Sequence, residues 1–326
     1  MEQPVIKNPI QLNDSGTFST PVLLCVFNRP DLTKKAIDRL RAVKPQKIYV
    51  SADGPRTGVP ADLNNCMLVR EAVHSIDWEC DLKVRFLDEN MGCGRGIASA
   101  IDWFFENETE GIILEDDTLP VPDFFPFCSS MLEKYRDESQ INMVSGTNFF
   151  PHLTQDVNHF FTQLPAAWGW ATWRRAWESY DFDINWWQDT NCRENILSHV
   201  ESRIMRSYMT HCLNDVVSTK VDTWDYQWQF LGLKQKAIGV TSGVNLVTNV
   251  GVQGTHSLKR SKSHFLPTAN SVLVSGCPES VGPFALHEKY DRRFLMKRVL
   301  PVVLKRELRN KLNCFIARPK FLKRVI

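Results

Sequence analysis

Four short runs of strand-forming residues recur along the first third of the chain: Pro21–Phe27, Lys47–Ala52, Leu82–Leu87 and Gly111–Leu114. The segments between them carry apolar residues at helical spacing. They predict helices over about 32–43, 62–75 and 97–106. Val22–Val26 and Ile112–Leu114 are apolar throughout, as in strands covered on both faces. Strand and helix in alternation describe a parallel sheet with right-handed crossovers.

The fourth run ends abruptly in Glu115-Asp116-Asp117. Open α/β sheets bind ligands at the carboxyl ends of their strands. Three adjacent negative charges repel one another unless a cation lies among them. A hard divalent ion such as Mg²⁺ or Mn²⁺ takes oxygen ligands and leaves positions open for phosphates. The alternative is an acidic turn that caps the helix starting near Pro122-Asp123. Three other loops follow strands: Asn28-Arg29, Asp53-Gly54, and the glycine-rich Asn90–Gly96 with Arg95. A parallel sheet brings all four to one edge. Together they offer a short acid for a ribose or base, a guanidinium for a diphosphate and carboxylates for a metal. That set suits a nucleoside diphosphate carrying a leaving group. Gly92, Gly94 and Gly96 equally suit a tight turn into a helix.

Beyond Phe124 the alternation gives way. A helix over 124–136 and a strand over 141–146 precede an aromatic-rich, partly helical stretch, Trp168–Trp187. A helix over about 202–217 follows, then a stretch over 222–233 that carries Trp224–Trp228, a strand over 244–250 and a loop over 251–256. The expected organisation is a lead-in (1–20) and a catalytic domain (21–256). That domain divides into a nucleotide-sugar half (21–125) and an acceptor half (126–256). An irregular linker (257–288) and a basic tail (289–326) complete the chain.

Apolar and charged contents of 43% and 23% are those of a globular protein. No apolar run is long enough to span a bilayer. Met1–Thr20 lacks the layout of a signal peptide. The nine cysteines form no C-x-x-C pair, which suits a reducing compartment. The cytoplasm is the expected location.

Taken in order, several motifs resemble the GT-A glycosyltransferases. They are the Asn-Arg-Pro after the first strand, Ser51–Arg56, and Ile113–Asp117 with Pro122-Asp123-Phe124-Phe125 close behind. The triplet is similar to that of the N-acetylglucosaminyltransferase I type. Trp168–Trp173 and Trp224–Trp228 resemble segments of bacterial sugar-nucleotide transferases of surface-polysaccharide loci. The resemblance covers about residues 20–256. It implies a GT-A-like, Rossmann-like α/β fold with a mostly parallel central sheet flanked by helices and a smaller acceptor-side subregion. It also implies a UDP-sugar donor. Asp117 would be the direct Mn²⁺ ligand, Asp116 would contact ribose or metal-bound water, and Glu115 the donor sugar. Asp53, with Asn28 and Arg29, would face the nucleotide, and Arg95 the diphosphate. Asp225 would be the general base, Trp224 and Trp228 would wall the sugar, and His256 would be a second metal or phosphate contact. A single base implies one displacement, hence inversion at the anomeric carbon. The acceptor half of the mammalian type has no evident counterpart here, so acceptor identity does not carry over; the surface-polysaccharide resemblance implies a glycan or lipid-linked sugar as the acceptor class.

The tail carries thirteen of the 39 basic residues but two of the 37 acidic ones, so the rest of the chain is net negative. Phe294, Leu295, Val299, Leu300, Val303, Leu304 and Leu308 interleave with the charges. This suits a basic amphipathic segment on an anionic membrane surface or a packed terminal helix with a solvated face. An acidic body and no recognisable binding fold argue against nucleic acid. The competing readings are a nucleotidyltransferase that makes an activated sugar, and a non-catalytic membrane-surface or nucleic-acid-binding module using the tail. The first loop lacks the glycine-rich, Arg/Lys-bearing signature of a nucleotidyltransferase.

Overall fold

The structure, a computed structural model, describes residues 18–251 and 284–316. Its strands are β1 (Val22–Val26), β2 (Lys47–Ala52), β3 (Asp81–Phe86), β4 (Glu110–Glu115), β5 (Thr118–Pro120), β6 (Ile141–Ser145), β7 (His159–Thr162), β8 (Trp170–Trp173), β9 (Ile238–Ser242) and β10 (Val247–Asn249). Eight of them form one sheet in the order β3-β2-β1-β4-β8-β6-β9-β7. β8 and β7 run against the other six. The fold is α/β with a mostly parallel central sheet. β5 and β10 pair antiparallel in a small second sheet.

The helices are α1 (Pro30–Arg41), α2 (Pro60–His74), α3 (Gly92–Asn107), α4 (Phe124–Lys134), α5 (Arg174–Trp177), α6 (Asn185–Gln188), α7 (Thr190–His199), α8 (Arg203–Val217) and α9 (Asp225–Gln235). After residue 283 come α10 (Glu288–Phe294), one π-helical stretch (Leu295–Val299) and α11 (Leu300–Ile316).

Alternation along each strand divides the core. Val22, Leu24, Val26, Ile112 and Leu114 face one layer with α1, α2 and α4. Leu23, Cys25, Tyr49 and Ile113 face the other, with α3, α5 and α9. This is why the central runs are apolar at every position. A third cluster joins α6, α7 and α8 to the chain's far end through Trp187, Met209, Phe230, Val299 and Val303.

Three features differ from the sequence reading. Gly92–Gly96 is the first turn of α3 rather than a loop before it. β7, β8 and β9 stand where no strand is expected. Tertiary pairing decides them: β8 is inserted between β4 and β6. Trp224 and Trp228 wall no open site. They are 3% and 2% exposed, packed with Trp170 and Trp177 on the α3 side of the sheet. Indoles this large release most free energy when fully covered.

Candidate active site

The acidic triplet stands where β4 ends, and its geometry excludes the capping alternative. α4 begins at Phe124 with no side-chain cap. Asp116 and Asp117 instead accept hydrogen bonds from Arg29, 87 and 88 residues away. Pro30 opens α1 directly after β1. Its fixed φ favours the first helical position, so Arg29 is held at the strand–helix junction. Arg29 Nε donates to Asp116 Oδ2 at 3.1 Å and Nη1 to Asp117 Oδ2 at 2.9 Å. Nη2 donates to Asp116 Oδ1, completing a two-pronged pair. The turn is locked behind them: Glu115 N donates to Thr118 Oγ1 at 3.0 Å, and that hydroxyl donates to Glu115 O at 2.9 Å.

Burial dominates the electrostatics. It pushes the Asp116 carboxyl up to about 7, even with Arg29 pulling the other way. Glu115 is raised well above the carboxylate range, first by burial and then by the charges of Asp117, Asp116 and Asp225. Asp225 opens α9, more than a hundred residues on, and shares a hydrogen bond with Thr223 Oγ1. Its charge is felt at Glu115, so the fold brings these two candidates to one place. Cys93, in the first turn of α3, marks the centre. Its thiol is raised by burial and then by Glu115, Asp222, Asp225 and Asp117.

The other candidates lie around this cluster. Asp53 Oδ1 accepts from the amides of Gly54 and Met91, each at 2.9 Å, and Oδ2 accepts from Asn90 Nδ2 at 2.8 Å. It ties the end of β2 to the entry of α3. Asn28 Nδ2 donates to Asp62 Oδ1 at 2.7 Å. Arg95 pairs with Asp183 at 2.8 Å and lies over the Phe182 ring, on the outer side of α3. His256 lies outside the described residues.

Two contributors carry no local signal in the sequence. Asp222 accepts from the amides of Cys93 (2.8 Å) and Gly94 (2.9 Å), so its carboxylate sits on the positive end of α3. Gly92, at φ +83°, makes the turn that exposes those amides. Gly251 lies against the triplet. A Cβ there would stand 2.3 Å from Asp117 Oδ2. β10 pairs with β5, just beyond the triplet, and Val250 N donates to Asp117 O at 2.8 Å. The chain toward residue 256 therefore leaves from beside Asp117.

The donor set fits a hard divalent ion: it is carboxylate oxygen, and the carboxylates outnumber the guanidinium of Arg29. Among the described residues no three Asp, Glu, His or Cys side chains converge into a ready-made cage.

No protein-family model matches the chain, and no curated protein does. Solved structures overlap it in part. HddC from Yersinia pseudotuberculosis is 12% identical over 39% of this chain and 57% of that one, with a TM-score of 0.27. Glucosyl-3-phosphoglycerate synthase from Mycobacterium tuberculosis, in complex with Mn²⁺, UDP and glucosyl-3-phosphoglycerate, is 12% identical over 53% and 63%, at 0.32. A UDP-glucose pyrophosphorylase is 7% identical over 70% and 93%, at 0.34. The chain thus spans less than two thirds of that HddC structure and of the synthase.

Proposed function

We propose that this chain is a metal-dependent glycosyltransferase of the GT-A type. It moves a sugar from a nucleotide-diphosphate donor, with UDP favoured, to a hydroxyl of a glycan or lipid-linked acceptor in surface-polysaccharide synthesis. One observation carries the reading. Glu115-Asp116-Asp117 emerges at the carboxyl end of β4, where Arg29 from the β1–α1 junction pairs with both aspartates.

In this reading Asp117 holds Mn²⁺ or Mg²⁺, with His256 as a second ligand. Bound there, the ion supplies Lewis-acid neutralisation of the departing diphosphate. Arg29 fixes the orientation of both aspartates and offsets their repulsion. Glu115 contacts the donor sugar. Asp53, with Asn28, faces the nucleoside, and Arg95 faces the diphosphate. Asp225 takes the proton of the acceptor hydroxyl as that oxygen attacks C1, the role a carboxylate suits when it stands within hydrogen-bond reach. One base and one displacement give inversion.

The test is a thermal-shift titration with UDP, GDP, CDP and dTDP, each with and without Mn²⁺. A ligand at a hundred times its Kd stabilises by ~2.7 kcal/mol. The expected result is one nucleotide shifting the midpoint only with metal, and no shift in Asp117→Ala. No shift with any of the four would sink the reading. Product analysis separates the alternative, because a nucleotidyltransferase releases pyrophosphate where a glycosyltransferase releases the nucleoside diphosphate.

A further inference from the structure

The end of the chain divides its apolar residues between two faces, and the sequence alone does not show which goes where. Phe294, Leu295, Val299 and Val303 pack into the third core cluster, against α8 and its neighbours. Around them α10 is stitched to the body. Tyr290 is 1% exposed, and its hydroxyl accepts from the amide of Phe149. Asp291 accepts from Thr162 Oγ1 and from the amide of Gln163. Arg306 pairs with Asp215 of α8. These residues cannot also meet a lipid surface.

The outward face of α11 is different. Leu304 and Leu308, one turn apart, are 48% and 61% exposed. At 100° per residue they share one stripe with the exposed Pro301. Exposed Lys305 and Arg309 flank the stripe on one side and Lys311 on the other. The only exposed acid of α11 is Glu307. Met296 and Val302 add further exposed apolar area nearby. Among the described residues no helix is long and apolar enough to cross a membrane.

We infer that the outward face of α11 is a docking surface for an anionic lipid bilayer, lying in the plane of the headgroups. Two exposed leucines, with Lys305 and Arg309 on one side and Lys311 on the other, match apolar acyl chains beneath negatively charged headgroups. A second copy of the chain fits poorly, since its own basic rows would meet these. The π-helical stretch that leads into α11 is anchored beside the candidate site. Arg298 lies 3.8 Å from the Phe149 ring centre and 5.7 Å from that of Trp168. The antiparallel pairing of Trp170 with Ile113 places Trp168 alongside the acidic end of β4. Docking would therefore hold the candidate site close to the bilayer. That consequence, an acceptor presented on a lipid carrier, rests on the transferase reading; the docking surface itself does not.

Vesicle flotation of the full chain tests it. Vesicles of phosphatidylcholine with about 30% phosphatidylglycerol should carry the protein up, pure phosphatidylcholine vesicles should not, and about 0.5 M salt should release it. The pair Leu304→Ser and Leu308→Ser should lower the bound fraction at least tenfold with an unchanged Tm, and Lys305→Gln with Arg309→Gln should do the same. Flotation that ignores lipid charge, no flotation on anionic vesicles, or serine variants that float like wild type would overturn the inference. So would a dimer, seen by sedimentation velocity, that the serine variants dissolve. Asp117→Ala should float normally, so a failed donor site and a failed docking surface give different results.

Discussion

Removing the guanidinium of Arg29 should destabilise the protein in a way that depends on pH. In Arg29→Met the aliphatic length is kept and the charge between Asp116 and Asp117 is lost. The Asp116 side chain is 2% exposed, that of Asp117 16% and that of Arg29 28%. Breaking a fully buried pair by removing one partner costs roughly 3–5 kcal/mol. Partial exposure of Arg29 and Asp117 lowers the expectation to about 2–4 kcal/mol at pH 8. The sign of the pH dependence follows from Asp116. In the wild type its carboxyl is held up to about 7. Without Arg29, which pulls that value down, it rises further. Below about pH 6 both native proteins carry the proton, so the gap between them is flat and smallest. Between pH 7 and the variant's higher value only the variant keeps the proton, and the gap widens by up to ~1.4 kcal/mol per pH unit. Urea unfolding followed by tryptophan fluorescence, at half-unit steps from pH 6 to pH 9 with EDTA present, measures this directly. A gap below ~0.5 kcal/mol, or one constant over that range, would refute a buried, coupled triplet.

Three further outcomes are expected. Asp291, raised by burial to about 6, binds more protons folded than unfolded between about pH 4 and 6. Stability should therefore fall across that window as pH rises, by about 3 kcal/mol from this group; Asp291→Asn should flatten that part of the urea-midpoint profile. Gly251→Ala places a methyl against Asp117 Oδ2 and should weaken metal-dependent nucleotide binding at least tenfold by calorimetry, with Tm within about 2 °C of wild type. Trp170→Ala removes an indole that is 1% exposed and stacked on Trp224 at 5.4 Å, and should cost about 3–5 kcal/mol in urea unfolding.

The sequence by itself determined the first half of the sheet. Runs such as Val22–Val26 and Ile112–Leu114, apolar at consecutive positions, have no stable place except between two helical layers. Connections of twenty to twenty-eight residues with helical periodicity leave parallel crossovers as the way to join them. The acidic triplet was legible for the same reason, since charge that begins where a buried strand stops must lie at the sheet's edge. Local pattern failed where partners are far apart in the chain. β8 becomes a strand by lying between β4 and β6, and its Trp-Ala-Thr-Trp has no signal that sets it apart from a helix. Trp224 and Trp228 have the composition of a sugar platform, and tertiary packing covers them instead. Arg29 meets its aspartates across 87 and 88 residues. Asp222 caps α3 across 129 and 128. The basic tail reads as one amphipathic stretch, and only contact with α8 decides which apolar residues belong to the core and which stay exposed. Charge and periodicity are written locally, but burial is a property of what comes to lie against a residue, and that is settled only when the chain closes on itself.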